Sequence, residues 1–261
     1  MKFAICVGIN NYNWLGSASN LAGCIEDARD WARLLREHYR FDDIHLLTDA
    51  AATPQAVRSA MSRIAERAVP GDVVVFTYSG HGTRVADADG DEPDNYDEAI
   101  VLTGSLYTDD ALAGDLKMFK DVPVTVIADS CHSGTMMRLL PPTDPASDGL
   151  RPRFVDASAF KRDASVVLRT LSPRFGAPRG GSSSRHVLLA GCRADETSMD
   201  AFLDNAYHGA LTYHAVRLLR EKPRTTWREF HRNLLGCVRR CSPQTPQLEG
   251  SDAALDAPVF S

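Results

Sequence analysis

The chain has 261 residues, of which 44% are hydrophobic and 24% are charged, the balance of an ordinary globular protein. Its net charge of -5 gives no general attraction to nucleic acid or to an anionic membrane, and no apolar run reaches the roughly 18 residues of a membrane span. The apolar run over 1–8 is too short for a secretory signal. We therefore expect a cytoplasmic protein whose six cysteines are reduced thiols.

Strands and helices are predicted to alternate along the chain. Apolar, β-branched runs predict strands over 3–9, 44–47, 73–78, 99–102, 122–128 and 186–190, with an edge strand over 244–248. Helical spacing predicts helices over 21–39, from Thr53 to about residue 69, and over 109–120, 209–221 and 226–240. This alternation predicts an α/β fold, a mostly parallel central sheet covered by helices on both faces.

Two chemically suggestive residues follow the carboxyl ends of two predicted strands, where such sheets place their active sites. His81 follows the strand over 73–78, and Cys131 follows the strand over 122–128. A thiol hydrolase needs a thiolate, a base and donors for an oxyanion. We predict Cys131 as nucleophile, His81 as general base, and the backbone N–H groups of Gly82 and Cys131 as oxyanion donors. No third side chain that would orient the base is evident, so a backbone carbonyl is expected to do so.

The segments around these residues resemble the two catalytic motifs of metacaspases and bacterial orthocaspases. They read Tyr-Ser-Gly-His-Gly-Thr at 78–83 and Asp-Ser-Cys-His-Ser-Gly at 129–134. The segment 21–28 resembles the first-helix motif of that family, and 191–198 resembles the motif that opens its small-subunit region. The resemblance implies a cysteine endopeptidase with a caspase-hemoglobinase-like three-layer sandwich.

The resemblance also implies how one caspase-like domain is organised. Residues 1–140 correspond to a catalytic large-subunit-like region, 141–185 to a basic loop, and 186–261 to a small-subunit-like region. Other interpretations are a non-catalytic interaction module, a calcium-responsive regulator and another thiol hydrolase or transferase such as a ligase. The presence of both Cys131 and His81 argues against the non-catalytic module.

The expected substrates are proteins or peptides with a basic residue at the cut site. Asp129 lies two residues before the predicted nucleophile, and buried acids there would favour Arg or Lys before the scissile bond. The resemblance assigns the pocket to Asp27, Ser79 and Asp129. Alternatively, Asp129 only caps a helix and Asp27 is a solvated helix acid. We predict cleavage after Arg or Lys and not after Asp.

An acidic insert over 87–98 carries seven Asp and Glu residues and no Lys or Arg. Such a cluster repels itself unless it is solvated or binds a hard cation such as calcium. An EF-hand is rejected because Glu92 stands where that loop needs glycine. The resemblance implies calcium ligands at Asp97, Asp109 and Asp110. Calcium is thus the one cofactor considered, and no organic cofactor is expected.

The segment 141–185 has poor periodicity and carries eight Lys and Arg residues against four Asp. We expect a long, partly mobile loop, since long loops without structure are usually functional or disordered. Its arginines are candidate sites of self-cleavage for an enzyme with basic specificity, namely Arg169, Arg174, Arg179 and Arg185. Alternatively, its charge mimics substrate and blocks the acidic pocket, or the loop is inert.

The predicted edge strand over 244–248 bears on oligomeric state. Pro243 and Pro246 punctuate it, and prolines make an edge a poor partner for another strand. We therefore expect a monomer.

Overall fold

The computed structural model describes residues 1–86, 96–119, 121–131, 150–160 and 186–261. The strands found there are β1 (Lys2–Gly8), β2 (Asp43–Thr48), β3 (Val73–Ser79), β4 (Gly82–Ala86), β5 (Tyr96–Leu102), β6 (Ser105–Thr108), β7 (Val124–Asp129), β8 (Leu150–Pro152), β9 (Val187–Ala190), β10 (Met199–Leu203), β11 (Ala206–Gly209) and β12 (Gln247–Gly250). The α-helices are α1 (Cys24–Tyr39), α2 (Pro54–Ala65), α3 (Asp109–Leu116), α4 (Ala210–Glu221), α5 (Trp227–Val238) and α6 (Asp252–Leu255). None of these helices is long and apolar enough to cross a membrane.

A six-stranded sheet lies at the centre, in the order β12-β9-β7-β3-β1-β2. Its strands pair in parallel except for β12, which pairs antiparallel with β9 at one edge. Every residue of β3 is buried, as expected for a strand covered on both faces. The mostly parallel sheet and the C-terminal edge strand are therefore confirmed, although that strand begins at Gln247 rather than at residue 244.

Helices cover both faces of this sheet because successive strand residues point to opposite sides. Ala4 and Cys6 of β1 pack into one core with side chains of α1, α4 and α5. Phe3 and Ile5 of the same strand pack into a second core with side chains of α2 and α3. The hydroxyl of Thr53 accepts a hydrogen bond from the Ala56 N–H at 3.2 Å and caps α2, as predicted. The three-layer α/β sandwich is confirmed.

A small antiparallel sheet of β4, β5 and β6 lies beside the central sheet, and only part of β5 was predicted as a strand. Gly82–Ala86, directly before the acidic insert, form β4, because their backbone pairs with β5. A third strand, β6, which no local pattern predicted, completes that small sheet. Helix α3 is shorter than predicted, since Lys117–Phe119 form a 3₁₀ turn.

Residues 150–160, a part of the segment predicted as a basic loop over 141–185, contain short regular elements. Within it, β8 pairs antiparallel with β10, and β10 pairs with β11 in a three-stranded sheet. A 3₁₀ turn follows at Ala157–Phe160. The rest of that loop, 141–149 and 161–185, lies outside the described residues. Part of this segment is therefore fixed by its pairing with β10.

Candidate active site

The two predicted catalytic residues lie at matching positions on neighbouring strand ends. In the parallel pairing of β3 with β7, Ser79 lies opposite Asp129. His81 and Cys131 each follow two residues later, so the register places them at the same edge of the sheet. His81 is only 3% exposed, and Cys131 is completely buried.

The imidazole of His81 is fixed by main-chain and ring contacts. Its Nε2 lies 2.6 Å from the carbonyl oxygen of Ser19, and its backbone N–H donates to the Tyr12 hydroxyl at 2.9 Å. The Tyr12 ring lies against it, with 4.5 Å between centroids. Burial lowers the pKa of His81 to about 4, so the ring is neutral near neutral pH.

This contact determines which ring nitrogen can act as the base. A neutral imidazole whose Nε2 carries the proton donates it to the Ser19 carbonyl, which leaves Nδ1 as the acceptor. Within the described part of the chain, Nδ1 is buried and has no hydrogen-bond partner. The expectation that a backbone carbonyl orients the base is thus met by Ser19.

The thiol of Cys131 donates to the carbonyl oxygen of Glu196 at 2.9 Å. A second thiol, that of Cys192, lies 3.5 Å from the same oxygen. The hydrogen bond from the Cys131 side chain, together with burial, raises the pKa of Cys192. The carbonyl oxygen of Glu196 is therefore a shared neighbour of two buried thiols.

The predicted oxyanion donors converge on one oxygen atom. The backbone N–H groups of Gly82 and Cys131 both donate to the carbonyl oxygen of Arg153, at 3.0 and 3.3 Å. Two fixed N–H groups aimed at one position are what an oxyanion site requires.

The side chain of Arg153 fills a closed acidic pocket. Its guanidinium is fully buried, and Nη2 donates to Asp27 at 2.6 Å and to Asp200 at 2.9 Å. Nη1 lies 3.3 Å from a carboxylate oxygen of Asp129 and donates to the carbonyl of that residue at 3.1 Å. The structure thus brings Asp27 and Asp129 together, as predicted. It adds Asp200 and the occupant Arg153, neither of which sequence reasoning singled out.

Neighbouring elements hold these three carboxylates in place. Asp129 accepts hydrogen bonds from Ser198 Oγ at 2.7 Å and from the N–H and hydroxyl of Thr212 at 2.9 and 2.8 Å. Asp27 accepts from the Gly209 N–H at 3.0 Å. Asp200 binds Arg153 through one carboxylate oxygen. Its other oxygen accepts hydrogen bonds from the N–H groups of Ala22 and Gly23, directly before α1.

Ser79, the third predicted pocket residue, differs from Asp27 and Asp129 in its contacts. It is buried and pairs with Asp129 across the β3–β7 register. Among the described residues, the hydrogen-bond partners of the Arg153 side chain are the three aspartates, and Ser79 is not one of them.

The electrostatics of the pocket are those of one cation among several acids. Burial opposes ionisation of Asp27, but the Arg153 guanidinium, the nearby His208 imidazole and the hydrogen bond from the Gly209 N–H outweigh it and leave the pKa of Asp27 lowered. Burial raises the pKa of Asp129, which lies near the negative charge of Asp27. Three carboxylates around a single guanidinium give a pocket that attracts positive charge and repels acidic side chains.

The predicted calcium ligands lie apart from this pocket. Asp97 is buried in β5, and Asp109 and Asp110 open α3. Burial, with the nearby charges of Asp110, Glu98 and Asp97, raises the pKa of Asp109 to about 7. Among the described residues, no group of three or more His, Cys, Asp or Glu side chains is arranged to hold a metal ion. Residues 87–95 of the acidic insert lie outside the described residues.

Comparison with known proteins identifies the family. A family model described as metacaspase, peptidase C14 domain, matches residues 2–140, slightly more than half of the chain. The chain belongs to the metacaspase family. The resemblance of its motifs to metacaspases is thereby confirmed, and the family is one of caspase-like cysteine peptidases.

Two curated relatives of this metacaspase come from fungi. Metacaspase-1B of Aspergillus niger is 28% identical over 284 residues, covering 95% of this chain and 64% of the relative. Metacaspase-1 of Cryptococcus neoformans is 30% identical over 295 residues, covering 96% of this chain and 63% of the relative. The chain thus spans less than two thirds of the length of these two relatives.

A bacterial crystal structure matches the fold along the whole chain. Protein GSU0716 from Geobacter sulfurreducens superposes with a TM-score of 0.76 at 28% identity, covering 100% of this chain and 98% of that one. Together with the family assignment, this similarity agrees with the caspase-like sandwich described above.

Proposed function

We propose that this metacaspase is a cysteine endopeptidase that cuts peptide bonds after Arg or Lys. The observation that supports this most strongly is the placement of Arg153. Its carbonyl oxygen accepts two convergent backbone N–H groups while its guanidinium lies among three buried carboxylates. A substrate residue on the amino side of a scissile bond needs the same two interactions at once.

The proposed reaction begins with proton transfer within the dyad. The Cys131 thiol gives its proton to Nδ1 of His81, while Nε2 of the same ring stays hydrogen-bonded to the Ser19 carbonyl. The thiolate attacks the substrate carbonyl carbon, and the N–H groups of Gly82 and Cys131 stabilise the oxyanion. His81 then protonates the leaving amine, and water hydrolyses the thioester to regenerate the thiol.

Basic specificity is proposed from the charge of the pocket. Asp27, Asp129 and Asp200 outnumber the one guanidinium that they bind, so a neutral or acidic side chain there would leave buried carboxylates without a partner. Leaving a buried charge unpaired is strongly unfavourable. A planar guanidinium can satisfy several carboxylate oxygens together, and an ammonium supplies the same charge with a smaller head group.

Turnover of short fluorogenic peptides tests this proposal. Peptides with Arg, Lys or Asp before the reporter are given to the wild type, to Cys131→Ala and to Cys237→Ala. Cys237 is a half-buried thiol on α5 that takes no part in the proposed site. We expect hydrolysis after Arg and Lys by the wild type and Cys237→Ala and none by Cys131→Ala. Cleavage only after Asp would contradict the pocket assignment, and full activity of Cys131→Ala would contradict the nucleophile. No turnover by any form would favour the non-catalytic module.

Other parts of the functional prediction remain proposals. Self-processing in the basic loop is proposed, but the four candidate sites Arg169, Arg174, Arg179 and Arg185 lie outside the described residues. Calcium activation, a cytoplasmic location and a monomeric state are likewise proposed from the sequence.

A further inference from the structure

The edge of β10 holds an extended segment of the chain beside the candidate active site. Strand β8 pairs antiparallel with β10, so that Arg151 lies opposite Asp200. The N–H of Arg153 continues this pairing and donates to the Ser198 carbonyl at 2.9 Å. Addition of an extended segment to a strand edge is a recurrent way of binding peptides. A substrate whose Arg or Lys enters the acidic pocket is therefore expected to run along β10 in this register.

Strand geometry decides which side chain of such a segment accompanies the one in the pocket. Side chains two residues apart point to the same face of a sheet, as do those of residues directly opposite each other in paired strands. Arg151 is two residues before Arg153 and lies opposite Asp200, whose carboxylate belongs to the pocket. The side chain two residues before the basic residue of a cut site therefore lies on the face that carries the pocket.

An aromatic ring contacts the side chain at this position. The guanidinium carbon of Arg151 lies over the ring of Tyr207, 4.7 Å from its centre. A cation within about 6 Å of a ring centre is attracted by the negative face of the ring. Within the described part of the chain, Nε of Arg151 is buried and has no hydrogen-bond partner. The positive charge of Arg151 is thus met by an aromatic face.

A second ring orients Tyr207. Phe202 lies opposite Tyr207 in the pairing of β10 with β11, and their rings meet edge to face with 5.2 Å between centroids. Phe202 is 53% exposed, so it adds little to the core of the fold. Exposed apolar side chains that cluster beside a cleft are typical of binding surfaces. Both rings belong to the β10–β11 hairpin, so they are available to any peptide that pairs with β10.

We infer, resting on the proposed peptidase function, that Tyr207 and Phe202 form a second substrate subsite, which takes a positively charged side chain two residues before the Arg or Lys of the cut site. This subsite selects less strictly than the acidic pocket. A neutral side chain over Tyr207 leaves no buried carboxylate unpaired, so it is accepted at a modest loss of affinity. The preferred substrates are therefore peptides with two basic residues separated by one residue.

The test compares two fluorogenic peptides, Leu-Arg-Pro-Arg and Leu-citrulline-Pro-Arg, which differ only in the charge of the second side chain. We expect the full-length wild type to show a kcat/KM about two- to fivefold higher for the first peptide, the size of an exposed cation–π contact. Tyr207→Phe keeps the ring and should keep this ratio, whereas Tyr207→Leu should bring it close to one. Tyr96→Leu, which removes a half-exposed ring at the start of β5, is the matched control and should behave as the wild type. Circular dichroism verifies that each variant folds.

The ratio separates this inference from the proposed peptidase function. Both peptides carry the same Arg at the cut site, so a change in the acidic pocket or in the dyad alters both rates together and leaves the ratio unchanged. Equal kcat/KM values for the two peptides in the wild type overturn the subsite and leave the peptidase proposal standing. A preference that persists in Tyr207→Leu overturns it as well. The absence of turnover of either peptide contradicts both proposals.

Discussion

Nε2 of His81 lies 2.6 Å from the carbonyl oxygen of Ser19. A main-chain atom therefore holds the proposed base, and no side-chain substitution at residue 19 removes it. The contact also fixes Nδ1 as the nitrogen that takes up a proton. The adjoining side chain of Tyr12, by contrast, can be altered, and it provides the first test.

The Tyr12 hydroxyl is expected to position the proposed base. It accepts the His81 N–H at 2.9 Å and lies 3.3 Å from the Val101 carbonyl. Tyr12→Phe leaves that buried N–H without its acceptor, so the free energy of unfolding should fall by about 1–3 kcal/mol, with a lower kcat. Urea unfolding and peptide turnover measure the two effects.

Tyr39→Phe is the matched control for that change. The Tyr39 hydroxyl is buried and has no hydrogen-bond partner within the described residues, so its removal should not destabilise the fold. Equal losses of stability in Tyr12→Phe and Tyr39→Phe would show that the Tyr12 hydroxyl has no special role.

Asp200 is expected to make the pocket select a positively charged substrate side chain over a neutral one. Asp200→Asn should lower the ratio of kcat/KM between an Arg peptide and the isosteric, neutral citrulline peptide by about 10- to 100-fold. The ratio is used because the fraction of enzyme closed by Arg153 affects both substrates equally. Asp204→Asn, an exposed change in the same β10–β11 hairpin, should leave the ratio unaltered. An unchanged ratio in Asp200→Asn would contradict a role of this residue in substrate selection.

Acid should destabilise the closed fold through His81. Burial lowers the pKa of His81 from 6.5 to about 4, so between these values the unfolded chain binds a proton that the folded chain does not. Stability from this source is therefore complete above pH 6.5 and is lost as the pH falls towards 4. From about pH 7 to pH 5 the wild type should lose about 2 kcal/mol more than His81→Gln, measured by urea unfolding. Parallel losses in the two proteins would contradict the shifted pKa.

Calcium activation is tested by metal titration of peptide turnover. If the family assignment of Asp97, Asp109 and Asp110 applies, added calcium should raise turnover and a chelator should abolish it. Asp109→Asn should then shift the calcium response to higher concentration, while Asp115→Asn, at the other end of α3, should not. Turnover that changes neither with added calcium nor with a chelator would contradict calcium activation.

The central sheet and the placement of the proposed catalytic pair at one edge of it were predictable because their signals are local. The apolar, β-branched run of β3 indicates a strand buried on both faces, and the polar motif that follows each of β3 and β7 marks the edge where sites form. These signals need no knowledge of contacts between distant residues.

The occupant of the pocket was not predictable in the same way. Strand β8 has only three residues, and its partner β10 begins at Met199. Because β8 and β10 are far apart in the sequence, a pattern read over a short stretch of residues cannot reveal that they pair. Asp200 likewise is one of 34 acidic residues, and only its contact with Arg153 and with the backbone before α1 distinguishes it.

The pairing of the central sheet determines what a nicked chain would become. Strand β7 precedes Arg153, whereas β9 and β12 follow it, and β9 pairs in parallel with β7. Asp27 of the first piece also accepts the N–H of Gly209 from the second. A break within the basic loop over 141–185 would therefore yield two polypeptides that share one sheet, migrating as two bands under denaturing conditions and eluting as a single particle under native ones.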